Sequence, residues 1–358
     1  MDDRTQVITG ATVLVGAELE PVTDSVVVVD GSAIGAVGPR AEVPIPEDAT
    51  RFDGTGWTLI PGFVDAHVHI GFYPPAEVLA GGVTTVRDLG WPRDLIAPLV
   101  AAALAADFDG PTIVAAGQML TAPGGYPTRA AWAPAGTGLE VAGPEAAGAA
   151  VAQVAEAGAC IVKIALNPPA GPVLDNATLT AIVMAAHDRD LKVTGHVSGL
   201  YELDKALDAG VDELAHMLMS DESLPEPTIR RMVDAGMTVV PTLSVFSGSA
   251  RRTAIANLYE FRRAGGRVVY GTDLGNEGPR PGIDEREIRA LADAGMSGLD
   301  IIRSATVEAA RWLGLGSVGW IEPGMDADMV MITGDPLRDP ETLTAVRQVW
   351  RKGRTKVP

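Results

Sequence analysis

The middle of the chain alternates between β-strand and α-helix patterns, and this alternation restricts the fold more than any other feature of the sequence. Short apolar segments that are typical of strands are mostly followed by stretches rich in Ala and Leu. Eight such strands over about 250 residues are what a (β/α)8 TIM-type barrel requires. A doubly wound open sheet is the alternative, but no glycine-rich dinucleotide-binding turn follows the first strand. The predicted strands are residues 59–66, 83–88, 112–116, 160–165, 191–196, 213–217, 238–242 and 267–272.

The two ends of the chain have a different pattern, with short strands separated by Gly, Asp and Pro. Neither end alone has enough strands for a stable sheet, so we expect the two ends to pair with each other. We predict a small β-sandwich domain from residues 1–60 and 316–358, and a barrel domain from residues 61–315. Residues 117–143, rich in Gly, Pro and Thr, are expected to form a long irregular loop at the functional end of the barrel.

Composition excludes several classes of protein. The chain has 358 residues and a formal net charge of −18, from 46 acidic and 28 basic side chains. A chain this acidic offers no basic surface to nucleic acid or to an anionic membrane. Its single cysteine excludes an internal disulfide, and its 47% hydrophobic residues exclude disorder.

Localisation and partners follow from the same features. Residues 1–5 are acidic and no apolar signal sequence follows them, and no segment is long and apolar enough to span a membrane. We therefore expect a cytoplasmic protein without nucleic-acid or membrane partners. We expect it to act on a small-molecule substrate, and a homo-oligomer is left open.

Four of the five histidines stand at the ends of predicted strands. His67 and His69 are two residues apart at the end of the first strand, so their side chains point to the same face. His196 ends the fifth strand and His216 lies in the sixth. A lone histidine in such a place is more often structural than a ligand. Because the carboxyl ends of barrel strands converge, this set of four favours a metal site at the barrel mouth.

Two further residues join this set. Lys163 lies in an otherwise apolar fourth strand, within residues 160–166 (CIVKIAL). Burying an ammonium group is costly, so Lys163 is expected to be paired, neutralised or chemically modified, unless it snorkels from the strand end. Asp273 follows the eighth strand. A lone aspartate there would be interpreted as the cap of a helix or turn, but beside the histidines Asp273 is a candidate metal ligand and general base.

In these motifs the chain resembles the amidohydrolase superfamily, and it is most similar in pattern to the prolidase-like and imidazolonepropionase-like members. The resemblance covers essentially the whole chain. It is carried by His196 and His216 and by residues 61–69 (PGFVDAHVH), 82–88 (GVTTVRD), 271–273 (GTD) and 321–330 (IEPGMDADMV), the last resembling the family's return into the small domain.

The resemblance implies a barrel with one or two divalent metal ions. Zinc is the first expectation, and manganese, iron and cobalt suit the same ligand types. In binuclear members a lysine of the fourth strand is carboxylated by carbon dioxide and bridges both metals. The implied ligands are His67, His69 and Asp273 for the first metal, His196 and His216 for the second, and carboxylated Lys163 between them.

The implied activity is hydrolysis of a carbon–nitrogen bond in a dipeptide, an N-acyl amino acid, a lactam or another cyclic amide, rather than of ordinary peptide bonds in proteins. Two metals lower the pKa of a bridging water so that hydroxide forms near neutral pH. One metal polarises the carbonyl that this hydroxide attacks. Asp273 would accept the water proton and pass it to the leaving amine.

The resemblance defines the residues that contact the substrate less closely than it defines the metal ligands. Tyr126 stands where the prolidase-like pattern has a histidine after paired glycines, which puts the usual substrate contact in doubt. We take Tyr126 as a candidate hydrogen-bond donor to the developing oxyanion. The candidate substrate-binding residues are Tyr126, Arg129, Asn167 and Ser198, all in or near loops at the barrel mouth.

Two other functions remain open. A mononuclear deaminase of an aminated heterocycle uses the same histidine and aspartate set but needs no bridging lysine. Such enzymes usually place an acid near the fifth-strand histidine, whereas Val197, Ser198 and Gly199 follow His196 here. A non-catalytic barrel used as a scaffold would be expected to lose ligands, and this chain has every one.

Overall fold

The computed structural model describes residues 5–105 and 107–356, so the acidic residues 1–4 considered above lie outside the described part. The chain begins with strands β1 (Gln6–Val15), β2 (Glu20–Asp30), β3 (Ala33–Pro39), β4 (Thr50–Asp53) and β5 (Trp57–Pro61). The alternating region follows with β6 (Phe63–Val68), α1 (Pro75–Ala80), β7 (Val83–Asp88), α2 (Arg93–Ala103), β8 (Thr112–Ala115), β9 (Met119–Thr121), β10 (Gly138–Glu140), α3 (Pro144–Glu156), β11 (Val162–Leu166), α4 (Asn176–His187), β12 (Val193–Val197), α5 (Leu200–Ala209), β13 (Glu213–Leu214), α6 (Glu226–Asp234), β14 (Thr238–Val239), α7 (Gly248–Arg263), β15 (Arg267–Val268), α8 (Glu285–Asp293), α9 (Gly298–Ala305) and α10 (Val307–Leu313). It ends with β16 (Met329–Thr333), β17 (Val346–Arg351) and β18 (Arg354–Lys356).

The alternating region forms two parallel sheets. One has the order β6-β7-β8, and the other has the order β10-β9-β11-β12-β13-β14-β15. Every residue of β6, β7, β11 and β12 is buried, as expected of parallel strands covered by helices on one side and by other strands' side chains on the other. An α/β fold built on parallel strands is therefore confirmed.

Backbone hydrogen bonds join the two parallel sheets at two places. On one side the amide of Ala66 donates to the carbonyl of Tyr270 (3.0 Å), and the amide of Asp273 donates to the carbonyl of His67 (2.7 Å). On the other side the amide of Cys160 donates to the carbonyl of Ala115 (2.9 Å). The carboxyl end of β6 is thereby brought beside the segment that follows β15.

The strands at the two chain ends share one sheet. Its order is β18-β17-β16-β5-β1-β2-β3, with β4 paired to β1. Strand β16 runs antiparallel to β5, with Met329 opposite Pro61. Neighbouring residues Val7 and Ile8 of β1 enter different apolar clusters because successive strand side chains point to opposite faces. The ladders connect these strands into a single sheet, and the sandwich and the domain limits remain predictions.

The structure differs from the sequence prediction in residues 117–143, which were expected to be irregular. They contain β9 and β10. Strand β9 pairs with β11, the strand of Lys163, and Met119 lies opposite Lys163. Both strands have only three residues and stand among glycines and prolines, so no periodic pattern could indicate them.

The later strands are shorter than predicted. The ladders that join β12, β13, β14 and β15 pair only two residues in each strand. Beyond these residues, each segment makes isolated backbone hydrogen bonds to the neighbouring segment. The amide of Val240 donates to the carbonyl of Leu214 (2.9 Å), and that of Val269 to Val239 (3.0 Å), before the chains diverge into loops.

A buried ion pair links β7 to β13 inside the parallel strands. Arg87 Nη2 lies 2.6 Å from Glu213 Oε1, Arg87 Nε donates to the carbonyl of Ala66 (2.7 Å), and Trp312 Nε1 donates to the other Glu213 oxygen. Removing one partner of a buried, fully hydrogen-bonded ion pair strongly destabilises the folded protein, because the other charge is left buried and unpaired. The pair thus fixes β6, which contains His67 and is followed directly by His69.

Among the described residues, no helix has the length and apolar character needed to cross a membrane.

Candidate active site

Three predicted ligands form a compact buried cluster. His67 and His69 lie at the end of β6, and Asp273 lies in the segment that hydrogen bonds to that strand. Asp273 Oδ1 is 3.3 Å from Nε2 of His67 and 3.3 Å from Nε2 of His69. The three candidate ligand atoms lie within 4.8 Å of one another, close enough to bind one ion.

The main chain orients both imidazoles of this cluster. Nδ1–H of His67 donates to the carbonyl of Ala215 (2.7 Å), and Nδ1–H of His69 donates to the carbonyl of Gly90 (3.2 Å). A carbonyl oxygen can only accept, so Nδ1 carries a proton in both rings, and the neutral form of each ring has its lone pair on Nε2. Histidine ligands of metals are generally held in this way through their second ring nitrogen.

Two aspartates from the motifs at residues 61–69 and 82–88 hold the backbone around the cluster rather than facing it. Asp65 accepts hydrogen bonds from the amides of His67 and Thr272 (3.1 Å each) and from the Thr272 hydroxyl (2.6 Å). Asp88 accepts from the amides of Ile70 (2.8 Å) and Gly90 (3.0 Å). Burial raises the pKa of Asp65 to about 7 and that of Asp88 to about 6. Neither residue was assigned a role from the sequence, although Asp65, like Lys163, is a charged residue among apolar residues of a strand.

The other two histidines lie beside this cluster. His196 belongs to β12 and His216 follows β13. The ring of His216 is 4.6 Å from that of His67 and 4.9 Å from that of His196, measured between centroids, and His216 Nδ1 is 3.7 Å from Asp273 Oδ2. The structure therefore brings the four histidines and the aspartate together.

Side chains, rather than the main chain, hold this second pair. Nδ1 of His216 lies 2.8 Å from Oγ1 of Thr242, and Nε2 of His196 lies 3.2 Å from the side-chain amide of Asn167. Thr242 has a positive φ of 45°, which is rare for a β-branched residue, and Asp273 has a φ of 58°. Strained backbone of this kind is concentrated at functional sites.

Glu287 of α8 holds the backbone next to Thr242 through Ser244. The Glu287 carboxyl accepts a hydrogen bond from the amide of Ser244 (2.7 Å), and the Ser244 hydroxyl donates to the carbonyl of Thr272 (3.1 Å). Burial raises the pKa of Glu287 to about 8. Thr242 and Glu287 were not found from the sequence, because their contacts exist only after folding.

Lys163 of β11 is almost completely buried at 1% exposure, and its Nζ has no hydrogen-bond partner among the described residues. Its charge acts on all four clustered histidines. Burial lowers the pKa of Lys163 to about 7, against the attraction of Asp273. A large fraction of this amine is therefore neutral and nucleophilic near neutral pH.

Three of the histidines are held neutral. Burial, with a further contribution from the Lys163 charge, lowers the pKa of His67 and of His216 well below the usual value and that of His196 to about 3. Burial acts the same way on His69, but the adjacent Asp273 outweighs it and raises its pKa. Neutral imidazole is the form that binds metals.

These residues fit a divalent metal ion. His67 Nε2, Asp273 Oδ1 and Lys163 Nζ are buried without hydrogen-bond partners among the described residues. Buried polar atoms are rarely left unpaired, because each one loses its interaction with water. A cation bound by imidazole nitrogen and carboxylate oxygen would satisfy the first two atoms.

Aromatic side chains border the histidines. The Tyr126 ring stacks on that of His196 at 5.0 Å, and the Trp132 ring is 5.0 Å from that of His69. Trp132 Nε1 donates to the Tyr126 hydroxyl (3.1 Å). Burial raises the pKa of this hydroxyl, so it stays protonated.

The remaining predicted contacts differ in position. Asn167 is half-buried against His196, and Ser198 is buried just after β12. Arg129 is exposed, and its guanidinium lies beside Gly124. Their predicted roles as substrate contacts remain predictions.

The α/β fold and the buried imidazole and carboxylate cluster define a class of hydrolases with a candidate metal site. The sequence model of the amidohydrolase family matches residues 58–356. Because this match covers most of the chain, the chain belongs to the amidohydrolase family, and the resemblance seen in its motifs is confirmed.

Individual relatives agree with this membership. An uncharacterized protein of Mycobacterium tuberculosis is 30% identical over 350 residues, covering 88% of this chain and 89% of the relative. A 5-methylthioadenosine/S-adenosylhomocysteine deaminase of Symbiobacterium thermophilum is 26% identical over 384 residues, covering 92% of this chain and 85% of that protein. The solved structure of a Xaa-Pro dipeptidase with bound methionine has a TM-score of 0.83 at 23% identity, covering 99% of this chain and 100% of that one, and so shows the same fold.

Proposed function

We propose that the protein is a metal-dependent hydrolase of an amide-type carbon–nitrogen bond, in a dipeptide, an N-acyl amino acid, a lactam or another cyclic amide. The observation that carries this proposal is Lys163. It is a buried amine without a hydrogen-bond partner among the described residues, set among four histidines and an aspartate, with a pKa lowered to about 7. A neutral amine of this kind can add to carbon dioxide, losing its proton to solvent and becoming a carbamate anion.

The proposed ligands form two groups around this lysine. His67, His69 and Asp273 would hold one divalent ion, and His196 and His216 a second, with carboxylated Lys163 shared between them. Zinc is the expected metal, and manganese, iron and cobalt are alternatives. Bound there, two divalent ions would lower the pKa of a water molecule and polarise the carbonyl of the substrate.

The chain's own residues would then move the proton. Asp273 Oδ1, 3.3 Å from both first-group imidazoles, would bind the ion, which leaves the other carboxylate oxygen, Oδ2, to accept a proton from the attacking water. The same carboxyl would pass the proton to the leaving nitrogen as the carbon–nitrogen bond breaks. The Tyr126 hydroxyl, protonated and close to His196, would donate a hydrogen bond to the oxyanion.

The proposal includes the architecture that presents these residues. We infer that eight strands of the two parallel sheets form one barrel over residues 61–315, supported by the backbone hydrogen bonds at both seams. These strands are β6, β7, β8, β11, β12, β13, β14 and β15, with β9 and β10 as additions to them. We infer that residues 1–60 and 316–358 form a small β-sandwich domain, supported by apolar clusters on both faces of their sheet.

From the composition of the chain we also propose a cytoplasmic location, a small-molecule substrate and no nucleic-acid or membrane partner. An oligomer of identical chains is an open alternative to a monomer.

A substrate screen tests the proposal. Zinc- and manganese-loaded protein is incubated with dipeptides, N-acyl amino acids, lactams and aminated heterocycles, while new amines and free ammonia are measured separately. We expect release of amines from an amide substrate, and a loss of about 10²-fold or more in Lys163→Ala. Lys192→Ala is the matched control, because Lys192 bonds instead to the carbonyl of Trp312.

The second candidate is a mononuclear deaminase of an aminated heterocycle. It is favoured by the compact cluster of His67, His69 and Asp273, which can bind a single ion without the lysine. Release of ammonia from a heterocycle, unchanged in Lys163→Ala and without amide hydrolysis, would replace the first proposal by this one.

A further inference from the structure

Four aromatic side chains form a continuous surface at one side of the histidine cluster; we call it the aromatic wall. It consists of Phe72, Trp91, Tyr126 and Trp132. Ring centroids are 5.0 Å apart for Phe72 and Trp91, 6.3 Å for Phe72 and Trp132, and 6.1 Å for Tyr126 and Trp132. Two of these rings touch the histidines, since Trp132 packs on His69 and Tyr126 on His196.

The wall is held in a fixed position. Phe72 lies in a short helical turn directly after His69, and the amide of Ile70 in that turn donates to Asp88 (2.8 Å). A Cβ atom at Gly71 would come within 2.5 Å of the Trp91 ring, so only glycine lets this turn lie on Trp91. The hydrogen bond from Trp132 to Tyr126 fixes the other end.

One ring of the wall is open to solvent. Phe72 is 40% exposed, although it sits beside the buried histidines and next to Trp91, which is 6% exposed. An aromatic ring with one face packed and the other exposed gains free energy when an apolar group covers it. The wall therefore offers a prepared apolar surface next to the reacting centre.

We propose that the aromatic wall binds an uncharged aromatic or apolar group of the substrate, on the side of the scissile bond nearest Phe72 and Trp132. This inference rests on the proposed function, because it places the scissile bond at the metal ligands. Aromatic faces carry partial negative charge, so they disfavour an anionic group. They attract cations, but divalent metals held by the neighbouring histidines and Asp273 would repel a cationic group.

Hydroxamates test this inference through binding rather than turnover, because a hydroxamate chelates a divalent metal and carries a variable side group. Dissociation constants are measured by calorimetry on zinc-loaded protein for acetohydroxamate, phenylacetohydroxamate and trimethylammonioacetohydroxamate. We expect the phenyl compound to bind at least about tenfold more tightly than the acetyl compound.

Variants of the wall identify the source of that preference. Phe72→Ala and Trp132→Leu should each reduce the ratio of the two dissociation constants to about twofold or threefold, because each removes one face of the wall. Tyr259→Ala is the matched control, since Tyr259 is an aromatic residue of α7 with a similar exposure of 42%. This control should leave the ratio unchanged.

Each outcome separates the two proposals. Equal binding of the phenyl and acetyl compounds, or tightest binding of the trimethylammonio compound, would overturn the aromatic selection and leave the metal site standing. A phenyl preference that both wall variants retain would overturn the assignment to these residues. Failure of all three compounds to bind would overturn the metal site itself, and this inference with it.

Discussion

The two groups of candidate ligands are held by different kinds of contact. In the first group, His67 and His69 donate to main-chain carbonyls, and Asp65 and Asp88 hold the backbone amides around them. In the second, His196 and His216 contact the side chains of Asn167 and Thr242. The first group is therefore a consequence of the strand arrangement, whereas the second depends on individual side chains that one substitution can remove.

This difference indicates how the site can change. Metal binding by the first group should survive substitutions of neighbouring side chains that leave its three ligands and the strands in place. Binding by the second should respond to changes in its supporting side chains, which typically alter metal affinity by about 10- to 100-fold. The predictions below separate the two groups, beginning with the residue that contacts both.

Asp273→Asn should have the largest effect, because Asp273 lies 3.3 Å from His67 and His69 and 3.7 Å from His216. We expect a loss of about 10³-fold in hydrolysis and of at least one bound metal, since asparagine offers no carboxylate to accept the proton. Asparagine tolerates the positive φ of this position, so thermal unfolding should change little. Asp190→Asn, at a similar φ of 57° on the surface, is the control and should retain activity.

Thr242→Val should weaken the second group selectively. Valine keeps the branched shape at φ 45° but removes the hydroxyl 2.8 Å from His216. We expect affinity for the second metal to fall by about 10- to 100-fold, with the first metal retained. Competition with a chromophoric chelator measures both affinities.

The control for this prediction is Thr238→Val. Thr238 is equally buried, but its hydroxyl has no hydrogen-bond partner among the described residues. If both variants lost the two metals together, the two groups would not be held independently.

Asn167→Ala should have a smaller effect, of at most about tenfold on the second metal, because Asn167 is half-buried and water can replace its amide. Asn167→Asp keeps a hydrogen-bonding group beside His196 and should preserve affinity in the same chelator competition. An alanine variant indistinguishable from wild type would show that His196 needs no side-chain support.

Glu287→Gln should change the pH dependence of stability rather than metal binding directly. The pKa of Glu287 is raised by burial from 4.5 to about 8, so between these pH values the folded chain holds a proton that the unfolded chain releases. Its contribution to the free energy of unfolding therefore decreases as pH rises through this range. Glutamine cannot ionise, and we expect the metal-free variant to gain about 1–3 °C in melting temperature relative to wild type between pH 6 and pH 8.

The exposed Glu285 on the same helix provides the control. Glu285→Gln should follow wild type at every pH in thermal unfolding. A Glu287 variant that also follows wild type would contradict a buried, protonated carboxyl beneath the Thr242 segment.

The sequence could predict which residues meet at the site because each stands at the end of a strand in an alternating pattern. His67, His196 and His216 lie far apart in the chain, and the parallel arrangement alone brings their ends together. Lys163 was found because a charged residue in an apolar strand needs an explanation. Asp65 shows the same signal and was overlooked, since it stands just before the more conspicuous His67 and His69.

The supporting contacts could not be predicted, because they depend on loop conformation and on distant partners. Thr242 meets His216 through a left-handed backbone conformation that no residue pattern indicates. Glu287 reaches Ser244 across 43 residues. The short strands β9 and β10 are of the same kind, since β9 forms by pairing with β11, and β10 by pairing with β9, rather than by their own propensity.

The most direct test of the central claim is the metal content per chain, measured by elemental analysis on protein purified without chelators. We predict close to two metals in wild type and in Lys192→Ala, and a clear loss in Lys163→Ala that added bicarbonate does not restore. Close to one metal in all three proteins would contradict the bridging role of Lys163 and leave the first group of ligands as a mononuclear site.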